Sequence, residues 1–515
     1  ARDGRHADAA GSGEVTQRTA ALERIAARLG ERGLLRGHDV PSGVQLRGIT
    51  ADSRRVEPGW LFCAVAGTSG DGHRFLADVA ARGAAAALVE RADPSVDLPQ
   101  VEVTDGRLAA AHAAAAFYGD PWDELTLVGI TGTNGKTTSA AIFRHLLGLR
   151  GPAASIGTLG AVGADGRVIP GTEGLTTPGP VETAQWLRRL ADDGVRGVAM
   201  EVSSHALDQG RAAAARFDAA VLTNLSRDHL DYHGSMEAYR GAKLRLLDLL
   251  EPEGVAALNA DDPAWEGVSA PRGRTIRFGM AADAEVRAEG VEAFPGGMAF
   301  TLITLDGAVP VRLPLMGGYN VANALGAAAV LHGLGWAADE IAAGLESLPQ
   351  VPGRLERVAT PGVAGTVLID YAHTPDALEV ALGALRPLTP GRLIVVFGAG
   401  GDRDRGKRPE MGRVAARLAD LAVVTSDNPR TEDPERIADD VERGMGHAPR
   451  LRILDRREAI RRALEEAGEG DVVLLAGKGH ETYQLWGSEV RPFDERTVIG
   501  ELLAERETFT GRGAD

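Results

Sequence analysis

Lysine is what this chain most lacks. It has four in 515 residues, so the other 52 of its 56 Lys and Arg side chains are arginine. A GC-rich codon bias accounts for the scarcity but not for the placement. Each lysine lies in a polar, glycine-containing cluster: Lys136 in GITGTNGKTT, Lys243 in YRGAKLRLL, Lys407 in GGDRDRGKRPEMG and Lys478 in AGKGHETYQ. An ammonium is a compact point charge whose amine can lose its proton and react, whereas a guanidinium is a planar fork that stays charged. Cysteine is nearly absent too. A single Cys63 excludes an internal disulfide and fits a reducing, cytoplasmic compartment. It lies in the apolar run WLFCAVAG and reads as strand core rather than nucleophile. Positive charge is in deficit: the net −16 disfavours nucleic acid or an anionic membrane as partner, so an anionic substrate must be held by local cations. No apolar run approaches the roughly 18 residues of a membrane span, so no membrane insertion is expected. The opening ARDGRHADAAGSGEV has no apolar h-region of a secretory signal, and residues 1–18 read as a disordered leader.

What is present is an α/β pattern long enough for about three domains. Over 19–125 a short amphipathic helix (20–30) precedes strands, turns and a helix–strand unit, with Asp120-Pro121-Trp122-Asp123 as boundary turn. Over 126–352 the apolar runs LTLVGIT, GVAMEVS, AAVLTNLS and GVAALNA alternate with helices, which predicts a parallel sheet with helices on both faces. The poorly helical patch 275–315 reads as antiparallel strands, closed by the helix VANALGAAAVLHGLG. Over 353–515 the alternation repeats (TVLIDYAH, helix 376–386, RLIVVFGAGG, helix 409–419, LAVVTSDNPR, helix 434–445, VVLLAGKGHE), a second, Rossmann-like open sheet. In such sheets function gathers beyond the carboxyl ends of the strands. DYAHTP, GAGGDRDRGK, TSDNPRTED and AGKGHETYQ all stand there.

VGITGTNGKTT follows an apolar strand and opens a helix, the context a phosphate-binding loop requires. The backbone of Thr131, Gly132, Thr133, Asn134 and Gly135, with Thr138 in the first helical turn, would cradle phosphates. Lys136 would reach the terminal phosphate, and the Thr137 hydroxyl would ligate Mg²⁺. Ile130 stands where the general pattern has glycine. The next two strands end in EVSSHALDQGR and TNLSRDHLDYHG. Glu201 and His229 at their tips, beside a nucleotide site, suggest a second Mg²⁺. A bare Lys243 beside two metals would repel them, whereas its carbamate, formed with CO₂, would be an anionic ligand. From the residues alone an ordinary helix lysine stays equally open.

Taken together, TGTNGKTT, EVSSHALDQGR, TNLSRDHLDYHG, Lys243, GGYNVANALGAAA, GRLERV, DYAHTPDAL, GGDRDRGKRPEMG, DNPRTEDP and KGHETYQ resemble, in order, the motifs of the Mur ligases. Within that family the likeness is to the type that adds diaminopimelate, and it runs from about Asp52 to Gln484. The resemblance implies a three-domain, ADP-forming acid–amino-acid ligase of peptidoglycan synthesis. It would join meso-diaminopimelate to the D-Glu side-chain carboxylate of UDP-N-acetylmuramoyl-L-Ala-D-Glu through an acyl phosphate. It implies a first domain that binds the UDP-sugar, touched by Ser53, Thr68, Ser69 and Gly70, with muramoyl-peptide contacts at Thr176, Thr177, Ser203, Gln209 and Arg211. It implies ATP held also by Asn320, Arg354 and Asp370, two Mg²⁺ sites among Thr137, Glu201, His229 and Lys243, and carbamylation of Lys243. The acceptor would lie among Arg403, Asp427, Asn428, Pro429, Arg430, Gly477 and Glu481, with Glu481 taking a substrate ammonium. Arg430 matters most. It can grip the distal carboxylate of diaminopimelate with paired bonds, and it would repel the ammonium of lysine. The bland alternative for Arg430 is a surface ion pair with Glu432 or Asp433. GAGG at 398–401, where relatives often carry GCGG, is a departure that leaves the assignment intact. A monomer is expected. Lysine as acceptor, a folylpolyglutamate-type ligase and a nucleotide-dependent switch or transporter ATPase are the competing readings. The last leaves the third region unexplained.

Overall fold

The computed structural model describes residues 18–37, 40–67, 70–294 and 296–511. Of the expected leader only Arg18 falls among them, and it is engaged, its guanidinium 3.0 Å from Asp192. Three open sheets follow in chain order. The first is all parallel, with strands β1 (Gly48–Thr50), β2 (Trp60–Cys63), β3 (Ala86–Val89) and β4 (Gln100–Glu102) side by side in that order. Cys63 is fully buried in β2 and burial pushes its thiol far above the usual range, so it is core.

The second sheet has ten strands: β5 (Thr126–Thr131), β6 (Ala153–Gly157), β7 (Gly160–Val162), β8 (Gly197–Glu201), β9 (Phe217–Leu222), β10 (Leu250–Asn259), β11 (Arg274–Gly279), β12 (Val286–Phe294), β13 (Gly297–Thr304) and β14 (Gly307–Leu313). Their order is β14-β13-β12-β11-β10-β9-β5-β8-β6-β7. From β6 to β12 all pairings are parallel, and the edges are antiparallel. The expected antiparallel patch at 275–315 is therefore only partly so: β11 continues the parallel sheet. Its alternating Ile276 and Phe278 are buried against the helix Gly318–Gly333, a face that a solvent-side hairpin would not need.

Both faces of this sheet are covered, as the near-continuous apolar strands require. Leu127, Val198, Ala220 and Leu258 face one cluster; Val128, Ala199, Val221 and Ala257 face the other. The first of these clusters runs without a break into the first sheet, through the alanine-rich helix α1 (Gly106–Tyr118) and Leu61, Cys63 and Leu88.

The third sheet comprises β15 (Glu356–Val358), β16 (Thr366–Asp370), β17 (Leu393–Phe397), β18 (Leu421–Val424), β19 (Arg450–Arg452) and β20 (Val472–Ala476), in the order β15-β16-β20-β17-β18-β19. Only β15 is antiparallel. Ile394 and Val396 face one core and Leu393, Val395 and Phe397 another. A hairpin, β21 (Tyr483–Trp486) and β22 (Glu489–Pro492), follows β20.

Candidate active site

Strand β5 lies between β9 and β8, so whatever ends these three strands meets at one edge. The loop Gly132–Gly135 leaves β5 there and turns into helix α2 (Lys136–Gly148). Two glycines let it fit. A Cβ on Gly132 would lie 1.8 Å from the Thr223 hydroxyl, and one on Gly135, at φ +88°, 2.4 Å from the Asn323 side-chain oxygen. The end of β9 braces the loop: Thr133 N–H donates to the Asn224 carbonyl at 2.8 Å, Asn134 N–H to the Asn224 side chain at 2.9 Å, and the Thr223 hydroxyl to the Asn134 carbonyl at 2.7 Å. Thr223, Asn224 and Asn323 were not singled out from the sequence. Thr223 and Asn224 stand inside TNLSRDHLDYHG and Asn323 inside GGYNVANALG, but only the chain crossing makes them loop supports.

The Lys136 ammonium donates to the carbonyls of Gly132 and Thr133, both at 2.8 Å. Lys243, on helix α3 (Met236–Asp248), reaches the same Gly132 carbonyl at 2.7 Å. Burial lowers the pKa of both amines, and the Lys136 charge drives that of Lys243 down further. Desolvation and the Lys136 charge thus both disfavour the ammonium form of Lys243, whose amine rests 4.3 Å above the Tyr239 ring.

On the other side of β5, Glu201 is buried at the end of β8. Its carboxylate accepts from the Thr137 hydroxyl at 3.1 Å and from the Thr158 N–H at 2.9 Å. Desolvation pushes its pKa up, and Lys136 opposes that rise. The Thr137 hydroxyl in turn accepts from Arg354 at 3.0 Å, a bond between the helix after the loop and the segment entering the third sheet. His229 departs from expectation. It is not at the tip of β9 but well past it, half exposed in a left-handed turn (φ +52°), with its ring against those of His205 and Tyr239. Of the residues between, Thr223, Asn224 and Ser226 bond the loop. The expected metal set therefore divides in two: Thr137 with Glu201 on one side of β5, Lys243 with His229 around Tyr239 on the other. Among the described residues no three His, Cys, Asp or Glu side chains converge as a metal cage. The paired oxygens of Thr137 and Glu201 fit an ion that keeps water and substrate phosphate as its other ligands, which is how Mg²⁺ is usually held.

Asn320 and Asp370 are both buried and internally bonded. Asn320 donates to the Met316 carbonyl at 2.8 Å, and Asp370 accepts from Leu355 N–H and Ala372 N–H, each at 2.8 Å. Burial raises the Asp370 pKa, and nearby Arg354 counters it.

Among the residues expected to contact the muramoyl peptide, Thr177 accepts from Ser203 N–H at 2.9 Å and donates to the Glu201 carbonyl at 3.0 Å. Thr176 touches Thr158 at 3.2 Å. Arg211 donates to the Thr177 carbonyl at 3.1 Å and the Gln209 side chain at 2.7 Å. Of these five, Thr177 bonds the Glu201 backbone directly, and the others are linked to it through Thr158, Thr177 or Arg211. Ser53 opens a short 3₁₀ turn on the first sheet and Gly70 is exposed; Thr68 and Ser69 lie outside the described residues.

The DNPR segment follows β18 and faces the loop after β20. Asn428 donates to the Glu481 carboxylate at 3.1 Å, and Gly477 stands beside Asp427. Lys478 is fully buried and joins Asn428 and Glu481 at 2.9 and 2.7 Å. Arg430, itself left-handed at φ +52°, donates to the Gly401 carbonyl at 2.7 Å. Pro429 precedes it, buried. Arg403 is exposed on the adjoining loop. The alternative ion pair is not made: Glu432 is occupied by Arg408 and Arg405, and among the described residues no carboxylate pairs with Arg430. Arg408 is fully buried and also reaches Asp440, tying this loop to the helix behind it.

A glycine-rich loop on one parallel sheet, bonded through an arginine to a second α/β sheet, is the arrangement of an ATP-dependent ligase of the Mur type. The chain belongs to the Mur ligase family. Three family models match it in order: "Mur ligase family, catalytic domain" over residues 45–118, "Mur ligase middle domain" over 130–331, and "Mur ligase, glutamate ligase domain" over 353–479. The UDP-N-acetylmuramoyl-L-alanyl-D-glutamate–2,6-diaminopimelate ligase of Geobacillus kaustophilus is 46% identical over 469 residues, covering 88% of this chain and 94% of its own. A solved structure of a ligase of that name is 31% identical, with TM-score 0.67 over 95% of this chain and 99% of that one. The MurF ligase of Thermotoga maritima in complex with ADP shares the fold at 21% identity and TM-score 0.63, covering 89% of this chain and 98% of its own.

Proposed function

We propose that this protein joins meso-diaminopimelate to the D-Glu side-chain carboxylate of UDP-N-acetylmuramoyl-L-Ala-D-Glu, with ATP cleaved to ADP and phosphate. The observation that carries the reading is the Arg354–Thr137 bond, which brings the third sheet onto the phosphate loop. ATP bound there is shared between two sheets, and activated acid and incoming amine are held together. The substrate carboxylate attacks the γ-phosphate. Lys136, Arg354 and the loop amides stabilise the charge that gathers on the transferring group. The amine of diaminopimelate then attacks the acyl phosphate, forming the amide and releasing phosphate. Positioning and electrostatics carry the rate, with little side-chain acid–base chemistry.

Mg²⁺ bound to Thr137 and Glu201, and a second ion toward His229 and a carbamate of Lys243, would neutralise phosphate charge. The carbamate forms when the neutral Lys243 amine adds to CO₂ and loses a proton. The depressed pKa and the crowding by Lys136 favour that chemistry. Arg430, which pairs with no carboxylate among the described residues, supports a substrate with a distal carboxylate over lysine. Thr176, Thr177, Ser203, Gln209 and Arg211 would line the path of the muramoyl peptide, with Ser53, Thr68, Ser69 and Gly70 at its UDP end. Asn320 and Asp370 would flank the nucleoside. We place the enzyme in the cytoplasm, as a monomer; no helix among the described residues is long and apolar enough to cross a membrane. The test is amide formation from UDP-muramoyl dipeptide and ATP with diaminopimelate or lysine offered in parallel. Diaminopimelate should be consumed with ADP release, and turnover of lysine alone would overturn the acceptor assignment.

A further inference from the structure

Two of the four lysines, Lys136 and Lys243, are absorbed by the nucleotide site. Lys407 donates to the His373 carbonyl at 3.0 Å, a strut between loops. Lys478 is left, and its surroundings are unusual. No part of it is exposed, yet it meets three polar partners from two segments: the Asn428 side-chain oxygen at 2.9 Å, Glu481 Oε2 at 2.7 Å and Asp427 Oδ1 at 3.4 Å. Asn428 is fixed at the same oxygen by Leu485 N–H at 3.0 Å, and its amide donates to Glu481 Oε2 at 3.1 Å. One carboxylate oxygen of Glu481 is therefore doubly held. Among the described residues no hydrogen bond reaches the other, Oε1.

We propose that Lys478 is a positioning and specificity-determining residue of the acceptor pocket. It pins Asn428 and Glu481 so that Glu481 Oε1 faces the acceptor's ammonium, and it balances the charge of the Asp427–Glu481 pair. The proposal rests on the acceptor reading given above. Its second half follows from the substrates' charges. Diaminopimelate carries two ammonium and two carboxylate groups and is neutral; lysine has one carboxylate fewer and is a cation. With Lys478 in place the two pocket carboxylates are offset by Lys478 and Arg430. Without it the pocket is more negative by one charge, and the cationic acceptor gains relative to the neutral one.

The experiment measures steady-state kinetics of full-length wild type, Lys478→Met and Lys478→Gln with diaminopimelate and with lysine, and the KM of the other two substrates. In Lys478→Met the KM for diaminopimelate should rise roughly tenfold or more, the loss expected for a charge-assisted bond. The KM values for ATP and UDP-muramoyl dipeptide should hold, and the ratio of kcat/KM for diaminopimelate over lysine should fall. Lys478→Gln keeps donors toward Asn428 and Glu481 but no charge. It should recover part of the KM while keeping the lowered ratio. A Met variant that melts like wild type with KM and ratio unchanged overturns the proposal, and so does a uniform rise in all three KM values, the mark of general loosening. If the Met variant does not fold, an unchanged ratio in Lys478→Gln overturns it. A wild type that ligates no diaminopimelate ends the acceptor reading itself, before any variant is compared.

Discussion

Lys136 and Lys243 aim two amines at one oxygen, the Gly132 carbonyl, and Lys243 is itself buried. Like charges so placed disfavour one another, and the chain resolves this by making Lys243 the reluctant one. In the proposed mechanism Lys136 serves the transferring phosphate, so Lys136→Ala should cut kcat roughly 10²–10³-fold, as the loss of one oxyanion-directed donor does. The KM for diaminopimelate should stay unchanged, checked by ADP release under saturating substrates. At the far pocket the matching test is Arg430→Ala. Losing paired charge-assisted bonds to the distal carboxylate should raise the KM for diaminopimelate roughly tenfold to a hundredfold and leave that for lysine unchanged or lower. A parallel rise for both acceptors would show that Arg430 serves only the loop.

At the scale of elements, the helices and strands that position these groups were largely legible. Apolar runs of strand length alternating with helical stretches gave β5, β8, β9 and β10, and their alternating faces are what the two cores use. The phosphate loop was legible because its glycines, lysine and threonine are adjacent in the chain. His229 was misplaced because nothing in the sequence says that Thr223 and Asn224 turn back to hold the loop before the chain moves on. The resemblance grouped Asp427, Asn428 and Glu481, but the place of Lys478 among them was invisible until the sheet order brought β18 and β20 on either side of β17. The last helix is anchored by a pairing that composition hides equally well. Arg456 and Glu495 are both fully buried and bonded at 2.9 Å, and Arg456 also reaches the Ala476 carbonyl at the end of β20. Removing one charge strands the other, so Glu495→Gln should cost about 3–5 kcal/mol in urea unfolding. Replacing both by apolar residues should cost much less.

For the whole molecule the pH response follows from histidines folded in neutral form. Burial holds His112 and His480 at about 4, against an ordinary value near 6.5. Below 6.5 the unfolded chain takes up protons that the native one refuses, so stability is full above that pH and falls as pH drops toward 4. Urea midpoints should therefore decline between pH 7 and pH 5, and the decline should shrink in His480→Gln. A midpoint that rises on acidification would contradict this. The cores suggest how such a body moves. The first two sheets share one unbroken apolar mass, while the third has two of its own and leans on the second through Met316, Tyr319 and the Arg354 bond. In mechanical terms the protein is a body with one jaw rather than three beads on a string. A closing motion would therefore leave the first sheet and the loop in fixed relation and be carried by the third sheet alone, hinged between Glu346 and Glu356.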